Sequence, residues 1–355
     1  MSLRLSILDQ SMIVTGTSAR DAIAATLDLA QAADAWGYHR YWLAEHHGLA
    51  SLGDPCPEIL LGRIGSLTKR IRIGTGGILL PYYAPFKVAE QFRMLEALFP
   101  NRLDLGLGRA PGGDRQTANA VSGSTTGGQY NAGDNFAEAV TELAAHLGKV
   151  LHPAHPHAPV KLQPDGDTAP ELWILGSSDF GGALAAQLGL RFAFAHFINP
   201  HGGEAVSRMY RTQFAANEAS LPDAQNPCAA MVFSPSPHNA VAVFAICADT
   251  EAEANDLAAA VDLRRLHMAY GLNRPIPTVA EAKQQLVNLN DRDRMVIERE
   301  RPRSIIGTPA VVKARIEALA TEYLADEVVV LTVCGGYQAR LRSYELLARA
   351  FGLAA

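Results

Sequence analysis

Residues Tyr38 to His47 read YHRYWLAEHH, and this stretch decides how the rest of the chain is read. Tyr41, Trp42, Leu43 and Ala44 have the apolar and aromatic character of a buried β-strand, and Glu45, His46 and His47 follow with no polar run-up. A strand that ends so abruptly in ionisable groups ends at a site. In a parallel α/β protein, ligands sit beyond the carboxyl ends of the strands, so these three residues face the place where chemistry occurs. Histidine suits proton transfer there, because its ordinary pKa lies near neutrality.

Working outward, the same alternation repeats. Leu3 to Leu8 predicts a strand ending at Asp9 and Gln10, and Ser18 to Trp36 predicts a helix with Ser18 as its cap and Gly37 as its stop. After the quoted stretch come a helix from Pro57, a strand at Arg70 to Leu80, a helix at Pro85 to Leu98 and a strand at Arg102 to Arg109. Further strands are expected at Leu172 to Leu175, Arg191 to Ile198, Ala240 to Ala248 and Glu327 to Val333. Between and after them, helices are expected at Asn135 to Leu147, Asp179 to Leu188, Gly203 to Ala216, Pro309 to Tyr323 and Leu341 to Phe351. Eight strands separated mostly by helices predict right-handed βαβ crossovers closed into a (β/α)8 TIM barrel, a single domain over residues 1–355. Segments 110–133 and 251–303 break the pattern and are expected as loop and insertion over the barrel mouth.

Composition limits the function classes. The chain has 355 residues, 48% hydrophobic and 19% charged, ample for a large core. A net charge of −5 without a dense Lys/Arg cluster argues against a nucleic-acid partner. No apolar run is long enough to suggest a membrane partner, and the N-terminus does not read as a secretory leader, so a cytoplasmic setting is expected. Cys56, Cys228, Cys247 and Cys334 lie far apart and predict neither a disulfide framework nor a zinc site. His152, His155 and His157 sit in a tract broken by prolines, which should keep them from sharing one face, so no metal site is expected.

In a barrel the strand-end residues share one cavity. Gly76, Gly77, Gly106 and Gly108 would leave strand ends without side chains, as a large flat ligand needs, although relief of crowding is the alternative. Arg109 closes an apolar strand and must find an anion, and its fork suits a phosphate. The segment Gly176-Ser177-Ser178-Asp179 precedes a helix, where amides and hydroxyls also hold phosphate. Together they suggest a phosphorylated cofactor. GTGGIL in the third strand is not a dinucleotide fingerprint, since Pro81 rather than a helix follows. His46 is the expected catalytic acid or base, with Glu45 orienting it or forming the wall. A glycosidase lacks a good second carboxylate, and adjacent histidines on a strand rarely chelate one metal ion.

These residues resemble the luciferase-like flavin monooxygenase family. The resemblance lies in WLAEHH (42–47), RIGTGGILLPYYAPFKVAEQFRMLEALFPNRLDLGLGR (72–109), LWILGSSDFGGALAAQLGLRFAFAHF (172–197) and IIGTPAVVKARIEALATEY (305–323), four segments in order along nearly the whole chain. It implies a (β/α)8 barrel, reduced FMN as cofactor, O2 and a small organic molecule as substrates, and a homodimer. By similarity His46 handles protons near the flavin ring, and Arg109 and Ser178, with Ser177 and the Gly181 amide, hold the phosphate. Gln10, Thr75, Gly76 and Gly77 would line the flavin, with a cis peptide between Gly76 and Gly77. Gly108 stands where bacterial luciferase has a reactive cysteine, so thiol chemistry there is excluded. The implied phosphate site lies after strands four and five, whereas the barrel's usual one follows strands seven and eight. The flavin would be reduced in place or supplied by a separate reductase. A deazaflavin-dependent hydride-transfer enzyme and a non-catalytic flavin-binding protein are the alternatives.

Overall fold

The quoted stretch forms β2 (Arg40–Leu43), preceded by β1 (Arg4–Asp9) and α1 (Ala19–Trp36). Helix α1 begins and ends as its side chains dictate. Ser18 and Asp21 form a reciprocal capping box, and Gly37 closes the helix in the left-handed conformation. The alternation continues through α2 (Pro57–Leu67), β3 (Arg72–Leu79), α3 (Pro85–Leu98) and β4 (Leu103–Gly108), with a proline opening each helix. Next come α4 (Arg115–Val121), α5 (Phe136–Leu147), β5 (Glu171–Gly176), α6 (Asp179–Leu188), β6 (Arg191–Ala195), α7 (Gly203–Gln213), α8 (Pro227–Val232) and β7 (Asn239–Cys247). The chain ends with α9 (Glu251–Ala269), α10 (Val279–Gln285), α11 (Asp291–Glu300), β8 (Ser304–Gly307), α12 (Pro309–Glu322), β9 (Glu327–Leu331) and α13 (Tyr337–Phe351). This computed structural model describes residues 3–110, 112–123, 135–216 and 226–353.

All strand pairings are parallel, and eight strands close on themselves in the order β1-β2-β3-β4-β5-β6-β7-β9. The fold is therefore a (β/α)8 TIM barrel. Strand β8 is an addition. It pairs with the last residues of β7, Phe244 to Cys247, where β9 has already ended opposite Phe244. The sequence reading missed it because four residues, SIIG, after a charged run carry too little pattern to mark a strand. Two short helices, α4 and α8, also fall where none was expected. Asp114 caps α4 by accepting from the Thr117 amide at 2.7 Å, inside the segment read as loop. Residues 111 and 124–133 of that segment lie outside the described residues.

Strand alternation divides the core in two. Leu5, Ile7, Leu103, Leu105 and Leu107 face the helices, while Leu8, Trp42, Trp173, Ala193 and Ala242 fill the barrel interior. At the amino end of the strands the interior is ionic. Arg40, almost wholly buried, reaches Asp104 at 2.8 Å, Glu171 at 2.9 Å and Glu327 at 3.0 Å, and its guanidinium lies over Trp173. Trp42 donates to Asp104 and meets Trp173 edge-on at 5.2 Å between ring centroids. This stack plugs the floor, so the barrel is open at the carboxyl ends of its strands. The segment after β7 packs against that open end. Leu257 and Val261 of α9, and Ile276, join the interior cluster with Leu8 and Met12, and Asn273 donates to the Gly48 carbonyl at 2.7 Å.

Candidate active site

A cavity of about 250 Å³ lies at the open end, walled by residues at the ends of β1 to β6. Gln10, His46, Gly76, Gly77, Arg109, Ser177, Ser178 and Gly181 all border it. Thr75 does not. Strand alternation puts its side chain on the helix-facing side with Ile73, where its hydroxyl donates to the Gly106 carbonyl at 3.1 Å.

The Glu45-His46-His47 cluster divides its work. Glu45 is buried and accepts from the Leu79 amide (2.8 Å), the Tyr83 hydroxyl (2.6 Å) and His47 Nε2 (2.7 Å). These bonds tie the end of β2 to the end of β3 and draw His47 away from the cavity. Glu45 thus partners His47 rather than His46, and His46 is left to line the cavity. Among the described residues its buried Nδ1 has no hydrogen-bond partner of good geometry. Burial pushes the imidazole down to about 4 against the pull of the Ala44 backbone, and the positive charge of Arg264 acts with burial. His46 is therefore neutral at pH 7 and able to accept a proton.

Arg264 was not singled out from the sequence. It lies on α9 one turn past Val261, and its Nε is buried without an acceptor. No carboxylate among the described residues pairs with it, and burial lowers its pKa. Its only sequence signal was a charged residue continuing the apolar spacing of Leu257 and Val261, which is visible once the helix is known to cover the mouth.

At the other side of the cavity Arg109 is exposed and unpaired with any carboxylate among the described residues, and its guanidinium carbon lies 4.2 Å from the centroid of the Phe180 ring. Phe180 belongs to the first turn of α6. Ser178 is the N-cap residue of that helix, yet its side chain makes no capping bond; in the first turn the Phe180 amide donates to the Asp179 carboxylate at 2.9 Å, which leaves the Gly181 amide as a donor beside the cavity. The Ser177 carbonyl accepts from Asn199 at 3.0 Å, which fixes the loop. A guanidinium, two hydroxyls and the Gly181 amide can make an anion site.

The glycines have a second explanation. A Cβ on Gly106 would lie 2.2 Å from the Thr75 carbonyl oxygen, one on Gly77 2.6 Å from that of Gly106, and one on Gly76 2.7 Å from Leu8 Cδ1. Strand crowding alone therefore demands glycine at Gly77 and Gly106, where a Cβ would meet backbone, whereas at Gly76 the Leu8 side chain would have to shift; these positions surround a register shift between Thr75 and Ile78 and a cis Gly76-Gly77 peptide. Gly108 differs, since a Cβ there would meet nothing closer than Leu79 at 3.4 Å.

Two other strand-end residues are used structurally. Asp9 accepts from Thr26, Tyr41, Arg340 and the Ser11 amide, and although burial works against it, these partners hold its carboxyl below the usual range. His196 turns to the Tyr323 hydroxyl at 3.0 Å behind the barrel wall, leaving Phe197 and Ile198 to border the cavity.

A closed parallel barrel with a neutral histidine and an anion-holding rim at its mouth suits an enzyme that holds a phosphorylated cofactor. Comparison with known proteins places it more closely. The profile of the family described as luciferase-like monooxygenase matches residues 3–327. The uncharacterised protein YceB of Bacillus subtilis (strain 168) is 40% identical over 349 residues, 98% of this chain and 99% of its own. The N-acetyl-S-alkylcysteine monooxygenase of the same organism is 34% identical over 349 residues, 98% of each chain. The crystal structure of apo-MsnO8 superposes with a TM-score of 0.87 at 34% identity, over 99% of both chains. At the level of fold alone, so do a 3,6-diketocamphane monooxygenase of Pseudomonas putida in complex with FMN (TM-score 0.68, 19% identity, 98% and 97% covered) and an F420-dependent secondary alcohol dehydrogenase (0.67, 13%, 99% and 99%). The chain belongs to the luciferase-like monooxygenase family and is a flavin-dependent monooxygenase.

Proposed function

We propose that this enzyme uses reduced FMN and O2 to oxidise a small organic substrate bound at the barrel mouth. The observation that carries the reading is Arg109, a rim guanidinium without a carboxylate partner among the described residues, lying over Phe180 in the first turn of a helix whose N-cap side chain, Ser178, makes no capping bond. That pairing suits a phosphomonoester, and the apolar wall of Trp42, Leu175 and Ala193 below it suits a planar ring. FMN has both parts, so the residues present fit it. In this reading Arg109, the Ser177 and Ser178 hydroxyls and the Gly181 amide hold the phosphate, and Gln10, Gly76 and Gly77 border the ring. Thr75 contributes only through the backbone of its strand.

When bound, reduced FMN supplies the electrons that activate O2. The chain's part is to orient the ring, exclude water and move a proton. His46, held neutral by burial and bordering the cavity, takes that proton at the cavity wall. Residues 112–123 and segment 251–303 shield the mouth. The N-acetyl-S-alkylcysteine relative supports oxygen transfer to a small molecule as the reaction type.

A screen of reduced FMN plus O2 against thioethers, aldehydes, sulfonates and cyclic ketones, read by mass spectrometry for one added oxygen atom, tests the function. His46→Ala should slow product formation with little loss of FMN affinity. Tight binding of F420 without FMN binding would replace the cofactor, and FMN binding with no substrate-dependent O2 consumption would favour flavin storage. The electrons come from a separate reductase or from reduction in place, which the same assay separates by adding NADH or NADPH alone.

The proposal includes a homodimer formed through α2 and α3, where Ile59, Met94 and Leu98 are more than half exposed. Light scattering checks it. A cytoplasmic setting accords with four unpaired cysteines, and no helix among the described residues is long and apolar enough to cross a membrane.

A further inference from the structure

Prolines in the 151–170 tract were expected to keep its histidines apart, and the opposite is found. Successive turns, with the amides of His155, Ala158 and Val160 donating to the carbonyls of His152, His155 and His157, coil the segment so that the rings of His155 and His157 meet at 5.1 Å between centroids. The coil lies against α5. There His157 Nδ1 is 2.7 Å from Glu142 Oε1, and one ligand atom from each of Glu142, His155 and His157 falls within 4.8 Å of the others. His146, one turn along α5 from Glu142, is 5% exposed and points its Nε2 to within 3.4 Å of the same carboxylate oxygen, without a hydrogen bond of good geometry.

We propose that Glu142, His155 and His157 form a binding site for a borderline divalent cation of the Zn2+ type. Two imidazole nitrogens and one carboxylate oxygen are the donor set such ions prefer over Mg2+ or Ca2+. Zinc bonds of about 2.0–2.1 Å put ligand atoms roughly 3.3 Å apart in a tetrahedron, so these side chains, exposed at His157 and half-buried at Glu142 and His155, need move by only about an ångström or less. His155 would bind through Nε2, because its Nδ1 already accepts from the His157 amide at 3.2 Å, a bond that also fixes the direction of the ring. The ion would replace the proton between His157 and Glu142, with solvent completing its shell. Buried His146 backs the carboxylate and is a positioning residue. The site is far in sequence from the cavity-lining strand ends and joins loop 151–170 to α5, whose first residue, Phe136, borders the cavity.

The test is titration of the chelator-treated full-length protein with ZnCl2, followed by calorimetry and by metal analysis after equilibrium dialysis. One equivalent is expected to bind at micromolar or lower concentration. Glu142→Ala, His155→Ala and His157→Ala should each weaken it at least tenfold, while His152→Ala, outside the cluster, leaves it unchanged. Zinc should also raise the melting temperature of the wild type and not of His155→Ala, a readout independent of FMN or activity. The variants replace exposed or half-exposed side chains, and circular dichroism confirms their fold. No stoichiometric binding by the wild type, or equal loss on His152→Ala, would overturn the assignment.

Discussion

The Arg109 guanidinium lies over the Phe180 ring at the rim of the barrel, 4.2 Å from guanidinium carbon to ring centroid. The contact joins the end of β4 to the first turn of α6, and it orients a cation that has no carboxylate among the described residues. The ring also holds the arginine in one place, which lowers the ordering cost when an anion arrives.

This pair leads to the first prediction. Charge-assisted bonds to a phosphate are worth about 1.5–3 kcal/mol, so Arg109→Ala should weaken FMN binding by roughly tenfold to a hundredfold. Phe180→Ala removes only the stacking, worth about 0.5–1 kcal/mol at an exposed site, and should weaken it about two- to fivefold. Quenching of flavin fluorescence on titration measures both. Unchanged affinity in Arg109→Ala would move the phosphate to another part of the rim.

His46 and Arg264 set the second. With the imidazole held at about 4, the neutral, proton-accepting form persists through neutral pH, and kcat/KM should fall only as pH drops towards 4. Removing the nearby positive charge in Arg264→Met should raise the His46 pKa and move the acid limb to higher pH. Proton NMR of the imidazole, or the pH profile of turnover, reads the shift. A downward movement would contradict the arrangement.

The ionic floor sets the third. Arg40 neutralises Asp104 and Glu327 in the barrel interior, and removing one partner of such a buried set costs about 3–5 kcal/mol. Arg40→Met should lose that much in urea unfolding. Although burial opposes it, Arg40 with Arg191 and Arg72 holds Glu171 down to about 2, and Arg40 also holds Glu327 below its ordinary range. Their folded pKa values are depressed, so this stabilisation is complete above about pH 4.5 and is lost as pH falls from there towards 2. The acid slope of stability should flatten in Arg40→Met.

The glycines set the fourth. Gly106→Ala drives a Cβ into the Thr75 carbonyl, and the variant should be destabilised by several kcal/mol or fail to fold. Gly108→Ala meets only ordinary contacts and should keep its stability within about 0.5 kcal/mol. Because Gly108 borders the cavity, its variant should bind FMN more weakly. Thermal unfolding beside flavin titration separates the two effects.

Much of this was legible in the chain because the information is local. The period-2 strands, the Ser18 cap, the Gly37 stop and the prolines opening α2 and α3 are written within a few residues of where they act, and eight such units can close in few ways. Strand β8 and the helices α4 and α8 were not legible, being too short for periodicity to show. The rim was partly legible: Arg109 and Ser178 stand at strand ends, where the fold itself points them at a shared mouth.

By itself, the sequence determined the barrel, its family and the ends of the strands that meet at the mouth, since each depends on patterning along the chain. Only the tertiary structure decided that Glu45 serves His47 rather than His46, that Thr75 faces away, that Arg264 stands near the histidine, and that the turns of the proline-rich tract gather His155 and His157 rather than scatter them. Each of these is a contact between side chains, and which groups touch depends on strand register, helix rotation and turn direction. Those are set by packing across the whole molecule, not by any stretch of neighbouring residues.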